Sequence, residues 1–449
     1  APDYGAKLTG RQDDHSFGIF LTDDTSTNLL IPGNRASAIA EIEGDSKSAA
    51  LRYRYNYNPD ITLGWISTLR SAQDYQNGVH GLDARFRLNT YDVFKFQTLY
   101  SNTQYPEDLY EQFCDSDNPE DCQAPQESDC EFGDCQYSET TLRTLNSDTF
   151  SGNAFRAGYY HNDESWYYRV TYDKQNAGFR GDLGFIPRID HNKFSVGGDH
   201  KWYAEPGQWW NKFRIYSDWD ITHNDNDELI EKEFDLSFHL SARYESYFRL
   251  SYSNRDKVGS RLDKSSLAID GNTTLFTESQ YALFAEFKPV AGIYFNTRME
   301  IGDKIDISNN RLGDIKEIRP TFNWNVNQHL EFKLKQTYRQ LDADNANVFI
   351  ARLTDLRTTF QFNVQSFLRF SFIYNNTSRN PNNYLYEDPD DIDSHSKSVS
   401  TELLYAYKIN PQTVFYLGYS DHHQAEEDFS ELEQDERSLF MKFSYAWIR

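Results

Sequence analysis

The sequence predicts an all-β chain: a transmembrane antiparallel β-barrel of about 22 strands, about 21 of them in this chain, with short periplasmic turns and long extracellular loops. Three observations predict it. Apolar and polar residues alternate with period two almost throughout. The alternating segments are longer than soluble strands. The connections alternate between short and long. Composition agrees once the fold is considered. The 449 residues carry a net charge of −24, yet 16% are aromatic, with 31 Tyr, 32 Phe and 8 Trp. Mean hydropathy is −0.78. Disordered acidic chains lack such an aromatic load. A barrel strand shows only every second side chain to lipid, so its average stays polar, and Tyr and Trp gather at the interfaces. No apolar run approaches the ~18 residues of a spanning helix.

In chain order the strands are expected at 3–11, 16–23, 47–57, 61–71, 79–89, 91–104, 151–162, 166–175, 191–204, 211–223, 229–242, 245–256, 274–288, 292–305, 315–326, 330–342, 347–363, 367–379, 397–409, 413–424 and 436–448. Strand side chains point alternately to opposite faces. Leu51, Tyr53, Tyr55 and Tyr57 therefore share a face opposite Arg52, Arg54 and Asn56. Leu82, Ala84, Phe86 and Leu88 oppose Asp83, Arg85, Arg87 and Asn89. Phe332, Leu334 and Tyr338 oppose Glu331, Lys333, Lys335 and Arg339. Leu439, Met441, Phe443, Tyr445 and Trp447 oppose Ser438, Lys442, Ser444 and Ala446. Most segments run about 10–14 residues, against ~5–6 in soluble proteins, which suffices to cross a bilayer at a tilt.

A β-sandwich also alternates, so the connections discriminate. Asn58–Asp60, Thr90, His161–Ser165, Arg243–Tyr244, Pro289–Ala291, Asn327–His329, Val364–Ser366 and Asn410–Gln412 are short. Tyr105–Phe150, Lys257–Thr273, Asp306–Asp314, Asn380–Ser396 and Ala425–Asp435 are long. Short turns on one side and long loops on the other is the outer-membrane pattern, the long loops lying outside the cell. The short first turn, Gln12–His15, makes strand 3–11 descend from outside, and strand 436–448 descends as well. Barrels of this type normally have an even strand number. One ascending strand is therefore expected before Ala1, or as a separate chain closing the barrel. Residues 1–449 are read as a single barrel domain, with residues 105–150 as an acidic extracellular loop.

That loop carries Cys114, Cys122, Cys130 and Cys135. Zinc sites favour short C-x₂₋₄-C pairs. These intervals are longer and the surroundings acidic, so two disulfides between sequence neighbours are expected, in an oxidising compartment. Of the acidic loops, Glu387, Asp388, Asp390, Asp391 and Asp393 make the best calcium candidate, since hard cations prefer oxygen ligands. Their spacing fits no strict calcium loop, and a solvated acidic surface is the plainer reading. His422 and His423 are adjacent on a strand and cannot easily share one metal ion. No cofactor is otherwise expected.

The inferred lumen face is rich in charge: Arg52, Arg54, Arg85, Arg87, Arg169, Arg214, Arg249, Lys333, Lys335, Arg339, Arg357, Arg369 and Lys442, with Asp83, Asp218, Glu331 and Glu402. Charge facing lipid is costly near the midplane. These groups must face water, another protein element or one another. They form either a selective pore or plug seat, or a charge ladder that satisfies itself. No Ser/His/Asp elbow, phosphate loop or haem-attachment motif is present. No catalytic residue and no enzyme activity are expected, and the net charge opposes nucleic-acid binding.

Several stretches resemble outer-membrane proteins that carry a periplasmic carbohydrate-binding module of family nine before a barrel (domain of unknown function 5916). Gly5–Gly10 resembles an early strand of that family, and Gly78-Val79-His80-Gly81-Leu82-Asp83-Ala84-Arg85 another. Gly178-Phe179-Arg180 with Gly184-Phe185-Ile186-Pro187-Arg188-Ile189-Asp190 resembles its most distinctive loop, and Phe440–Tyr445 its last strand. The ending departs from the common barrel signal, since Ile448 and Arg449 follow Trp447. The resemblance implies an upstream module and first strand, and supplies no reaction.

The sequence therefore points to a channel, transporter or export conduit in the bacterial outer membrane. Lipid and lipopolysaccharide surround it, and a plug or complex partner is open. The alternatives are a scaffold that anchors a complex without transport, and the sheath of an electron conduit around a haem protein.

Overall fold

The computed structural model describes residues 3–449 except 107–108, 110–111, 113–134, 138–139, 143–148, 263–267, 411–412, 427–431 and 446–449. The strands are β1 Tyr4–Gln12, β2 His15–Pro32, β3 Ser37–Asn56, β4 Ile61–Ala72, β5 Tyr75–Arg87, β6 Asp92–Gln104, β7 Cys135–Tyr137, β8 Thr140–Leu142, β9 Phe150–Asn162, β10 Trp166–Gln175, β11 His191–Tyr203 and β12 Trp210–His223. They continue as β13 Leu229–Ala242, β14 Ser246–Val258, β15 Leu275–Phe287, β16 Ile293–Asp306, β17 Arg311–Asn325, β18 Leu330–Ala343, β19 Ala346–Gln361, β20 Ser366–Arg379, β21 His395–Asn410, β22 Thr413–Glu426 and β23 Glu433–Ser444. A 21-stranded sheet contains all but β7 and β8, which pair with each other. Its ladders are antiparallel hairpin pairings between successive strands, as in β3–β4, β4–β5 and β17–β18. β1 is paired along its length with β2, and β23 with β22.

Two compact units make up the chain. The first comprises Ala1–His200, Ser217–Phe234 and Asp256–Leu275; the second comprises Lys201–Tyr216, Asp235–Arg255 and Phe276–Arg449. In the first, Trp65 lies opposite Tyr53 and Leu82, while Arg54 lies opposite Gly64, which faces Asp83. In the second, Leu334 lies opposite Phe322 and Leu356, and Lys335 opposite Thr321 and Asp355. Each unit thus has an apolar and a charged sheet face. The apolar face is bare: Leu82, Val170 and Val196 in one unit and Leu250, Leu403 and Met441 in the other are exposed. Soluble proteins rarely expose such contiguous apolar area. A bilayer covers it, and this is the all-β architecture of an outer-membrane barrel, with short periplasmic turns and long extracellular loops.

The largest departure from the sequence expectation lies between residues 24 and 46. The expected strands stop at 23 and resume at 47, but β2 and β3 continue as one hairpin to Pro32 and Ser37. The run Thr25-Ser26-Thr27-Asn28 hides the strand because it lacks apolar alternation. A bulge between Asp24 and Ser26 resets the register, and Gly44 supplies a positive φ of 103° on the opposing strand. Bulges absorb an extra residue this way. Beyond the bulge Leu29, Ile31 and Ala40 are buried with Ala72, Tyr75, Tyr105 and Leu109.

Candidate functional site: a charged face and the loops folded onto it

The ladders place the expected lumen cations on the charged face. Arg52, Arg54, Arg85, Arg87 and Arg169 belong to the first unit. Lys333, Lys335, Arg339, Arg357, Arg369 and Lys442 belong to the second. Arg214 alternates with Phe213 and Ile215, and Arg249 with the exposed Phe248 and Leu250.

Some of these charges are engaged across the sheet. Arg52 donates two hydrogen bonds to Asp83, one of 2.8 Å, reaching over the intervening β4. The crossing needs Gly64, where a Cβ would sit 2.6 Å from both partners. The same device recurs on β10–β12. Arg169 donates to Asp218 at 3.0 and 3.1 Å, and a Cβ on Gly197 would sit 1.8 Å from the Asp218 carboxylate. A bidentate arginine–carboxylate pair over glycine ties next-nearest strands as well as neighbours. In the same unit Arg156 pairs with Asp173 at 3.1 Å and Lys193 with Asp220 at 3.0 Å. In the second unit Arg357 pairs with Asp355 at 3.2 Å, Arg369 with Glu402 at 3.6 Å, and Arg339 with Glu317 at 3.7 Å. Arg249 lies over the Phe284 ring at 5.8 Å.

The connection between β10 and β11, which contains the Gly-Phe-Arg and Gly-Phe-Ile-Pro-Arg-Ile-Asp stretches, folds onto this face. Phe179 is buried with Val79 and Ala154, and with Leu99 and Ile186 against it. Gly152 permits the approach, since a Cβ there would stand 2.1 Å from the Phe179 amide nitrogen. The Arg180 amide donates to Ser101 Oγ at 3.0 Å, and the Asp182 amide to Asn77 Oδ1 at 3.2 Å. Ser101 and Asn77 belong to the charged-face register of β6 and β5. The fully buried Arg180 guanidinium donates to the carbonyls of Ala177 and Phe179 at 2.7 and 2.8 Å. Tyr75 and Tyr105 both donate to Asp182.

The β2–β3 hairpin tip clasps the same loop. The Ile189 amide donates to Gly33 O at 3.0 Å. Asn34 donates to Asp190 at 2.8 Å and accepts from Arg261. The Asp225 amide donates to the other Asp190 oxygen at 2.9 Å. Burial pushes Asp182 and Asp190 above the usual carboxylate range and pulls Arg180 below the usual guanidinium range. Tyr105 is raised by burial first and by Asp182 second. Four connections and a hairpin tip therefore form a buried cap in the first unit. In the second unit Asn383 is buried and the Arg311 guanidinium donates to its carbonyl at 2.6 Å. Tyr384 packs with Ile315, Leu341 and Val348.

The remaining calls fall as follows. Asp388 accepts from the Asp390 amide at 3.1 Å and caps the 3-10 turn Pro389–Asp391. Among the described residues no group of three metal-ligating side chains is gathered. Cys114, Cys122 and Cys130 lie outside the described residues, as does the side chain of Cys135. His422 contacts Ser400 Oγ at 2.7 Å, while His423 lies 3.5 Å from Asp421. Sequence reasoning missed Asn34, Arg261 and Asn383 because isolated polar loop residues carry no periodic signal.

Solved structures share this architecture. A mutant of the ferric enterobactin receptor PfeA from Pseudomonas aeruginosa matches with TM-score 0.53 and 10% identity, over 94% of this chain and 73% of that one. A second PfeA mutant, in complex with enterobactin, matches with TM-score 0.51 and 9% identity over 96% and 74%. The fold is that of an outer-membrane β-barrel. No family model matches the chain, and no curated protein matches it.

Proposed function

We propose that this outer-membrane barrel is a channel or transporter for small water-soluble solutes, whose passage is narrowed by the loop 176–190. The observation that carries the reading is the seating of that loop on the charged face, through Phe179, Arg180 and Asp182. A loop that served only as an external tether gains nothing by burying an arginine there. A barrel of this strand number is too wide for its own side chains to fill. Its charged face then lines water, and an inward loop sets the bore. The role is transport rather than catalysis.

Swelling of proteoliposomes in sugars of graded size tests this. Entry with a sharp size cut-off is the expected result. A folded barrel that admits nothing, even as the smallest sugar, would favour the scaffold or sheath roles. We also propose kinship with the barrels that follow a family-nine carbohydrate-binding module. It is supported by the central place in the cap of the loop that carries the resemblance.

A further inference from the structure

The charged face of the first unit is not balanced everywhere. Near the short-turn ends of β3, β5 and β6 it presents Arg54, Arg85, Arg87 and Lys95. Arg85 stands directly opposite Lys95 in the β5–β6 ladder. Like charges directly opposite one another destabilise a sheet pair. Asp83, two residues from Arg85 on β5, is already bound twice by Arg52, and Asp60, across from Arg87, meets it through its backbone carbonyl. Lys95 leans over the Tyr160 ring at 4.8 Å rather than onto an acid, and Arg54, Arg87 and Lys95 are exposed. The second unit also sets Lys333 directly opposite Arg357, but there Asp355 neutralises the arginine at 3.2 Å, whereas among the described residues no such acid holds Arg85 or Lys95.

Composition opposes this pattern. The chain carries 69 acidic against 45 basic residues, so a cation patch does not arise from surplus lysine and arginine. A self-satisfying ladder would set acid against base, as Arg156 and Asp173 do across β9 and β10. Here the fold keeps a repulsive register that one substitution would remove. The groups left over are guanidinium forks and an ammonium, the donors that recognise phosphate and carboxylate oxygens.

We propose that Arg54, Arg85, Arg87 and Lys95 form a binding station for small phosphate- or carboxylate-bearing anions, and that passage favours anions over cations. The selectivity half rests on the channel reading; the binding half does not. A bound anion screens the Arg85–Lys95 repulsion and turns a cost of the empty sheet into affinity. The weak, exposed character of the site suits a solute that must also leave.

Two measurements on the full chain separate the halves. Calorimetric titration of the detergent-solubilised barrel with inorganic tripolyphosphate, and separately with citrate, reads binding without any need for conductance. The expected result is saturable binding that weakens at least tenfold in Arg85→Gln/Lys95→Gln and falls steeply with salt. Tripolyphosphate alone binding would assign the station to phosphates, citrate alone to carboxylates. No saturable binding of either, or equal binding by the folded double variant, would overturn the station. Reversal potentials in a salt gradient across planar bilayers read selectivity. Anion preference that drops in the double variant supports the proposal, and cation preference in the native chain overturns its selectivity half. Anion binding by a barrel that never conducts would retain the station and refute the channel.

Discussion

Replacing Leu334 by Arg while leaving Lys335 alone tests the facing of the whole sheet. Leu334 lies four residues inside β18 from Leu330, opposite Phe322 and Leu356. At a rise of ~3.4 Å per residue and a tilt of ~40° it sits roughly 10 Å above the short-turn end of an apolar band about 25 Å tall. That depth is close to the midplane, where an arginine on the lipid face costs ~2–4 kcal/mol. At ~1.4 kcal/mol per factor of ten, the folded-to-unfolded ratio should fall roughly 30- to 1,000-fold. Lys335→Ala, one residue on, faces Thr321 and Asp355 and should change stability by no more than ~0.5 kcal/mol. Urea titration of folding into lipid vesicles, followed by tryptophan emission and by the gel shift of the folded barrel, measures both. Equal destabilisation of the two variants, or a larger effect for Lys335→Ala, would refute the facing assignment.

Other consequences follow from the cap and the clasps. Gly152→Val should displace Phe179, since a Cβ there meets the loop backbone at 2.1 Å; protease cleavage within 178–190 should speed up while the barrel keeps its gel shift. Gly64→Val should break the Arg52–Asp83 clasp and cost ~1–3 kcal/mol, with much less lost when Asp83→Ala is already present, as a double-mutant cycle reads. Asp182 and Asp190 are raised by burial, so the closed cap holds more protons than the opened one at pH values above the ordinary carboxylate pKa of about 3.9. Cap stability should therefore be greatest in acid and fall as pH rises through the raised values. Amide exchange in 179–190 that slows with rising pH, after correction for intrinsic rates, would contradict this.

Much of the fold was legible because alternation over a long strand has only two phases. The expected strand 330–342 is Leu330–Ala343, and 166–175 is Trp166–Gln175. The same parity placed Lys333 and Arg85 on the charged face before any pairing was known. It failed where the backbone changes phase, at the bulge between Asp24 and Ser26. It also could not show that loops return to the sheet. Arg180 looks like any exposed loop cation in sequence; its burial depends on Ser101, Asn77 and Gly152, which belong to three other strands. Nor does the acidic run at Asp388–Asp393 show in sequence that Asp388 caps its own turn.

Single-channel conductance of the native chain, compared with a variant in which residues 180–187 are replaced by a short Gly-Ser bridge, tests the central claim most directly. A water path narrowed by this loop predicts a small, stable conductance that rises several-fold when the loop is removed, with the barrel still folded by gel shift. Unchanged conductance in the folded variant, or silence in both proteins, would contradict it.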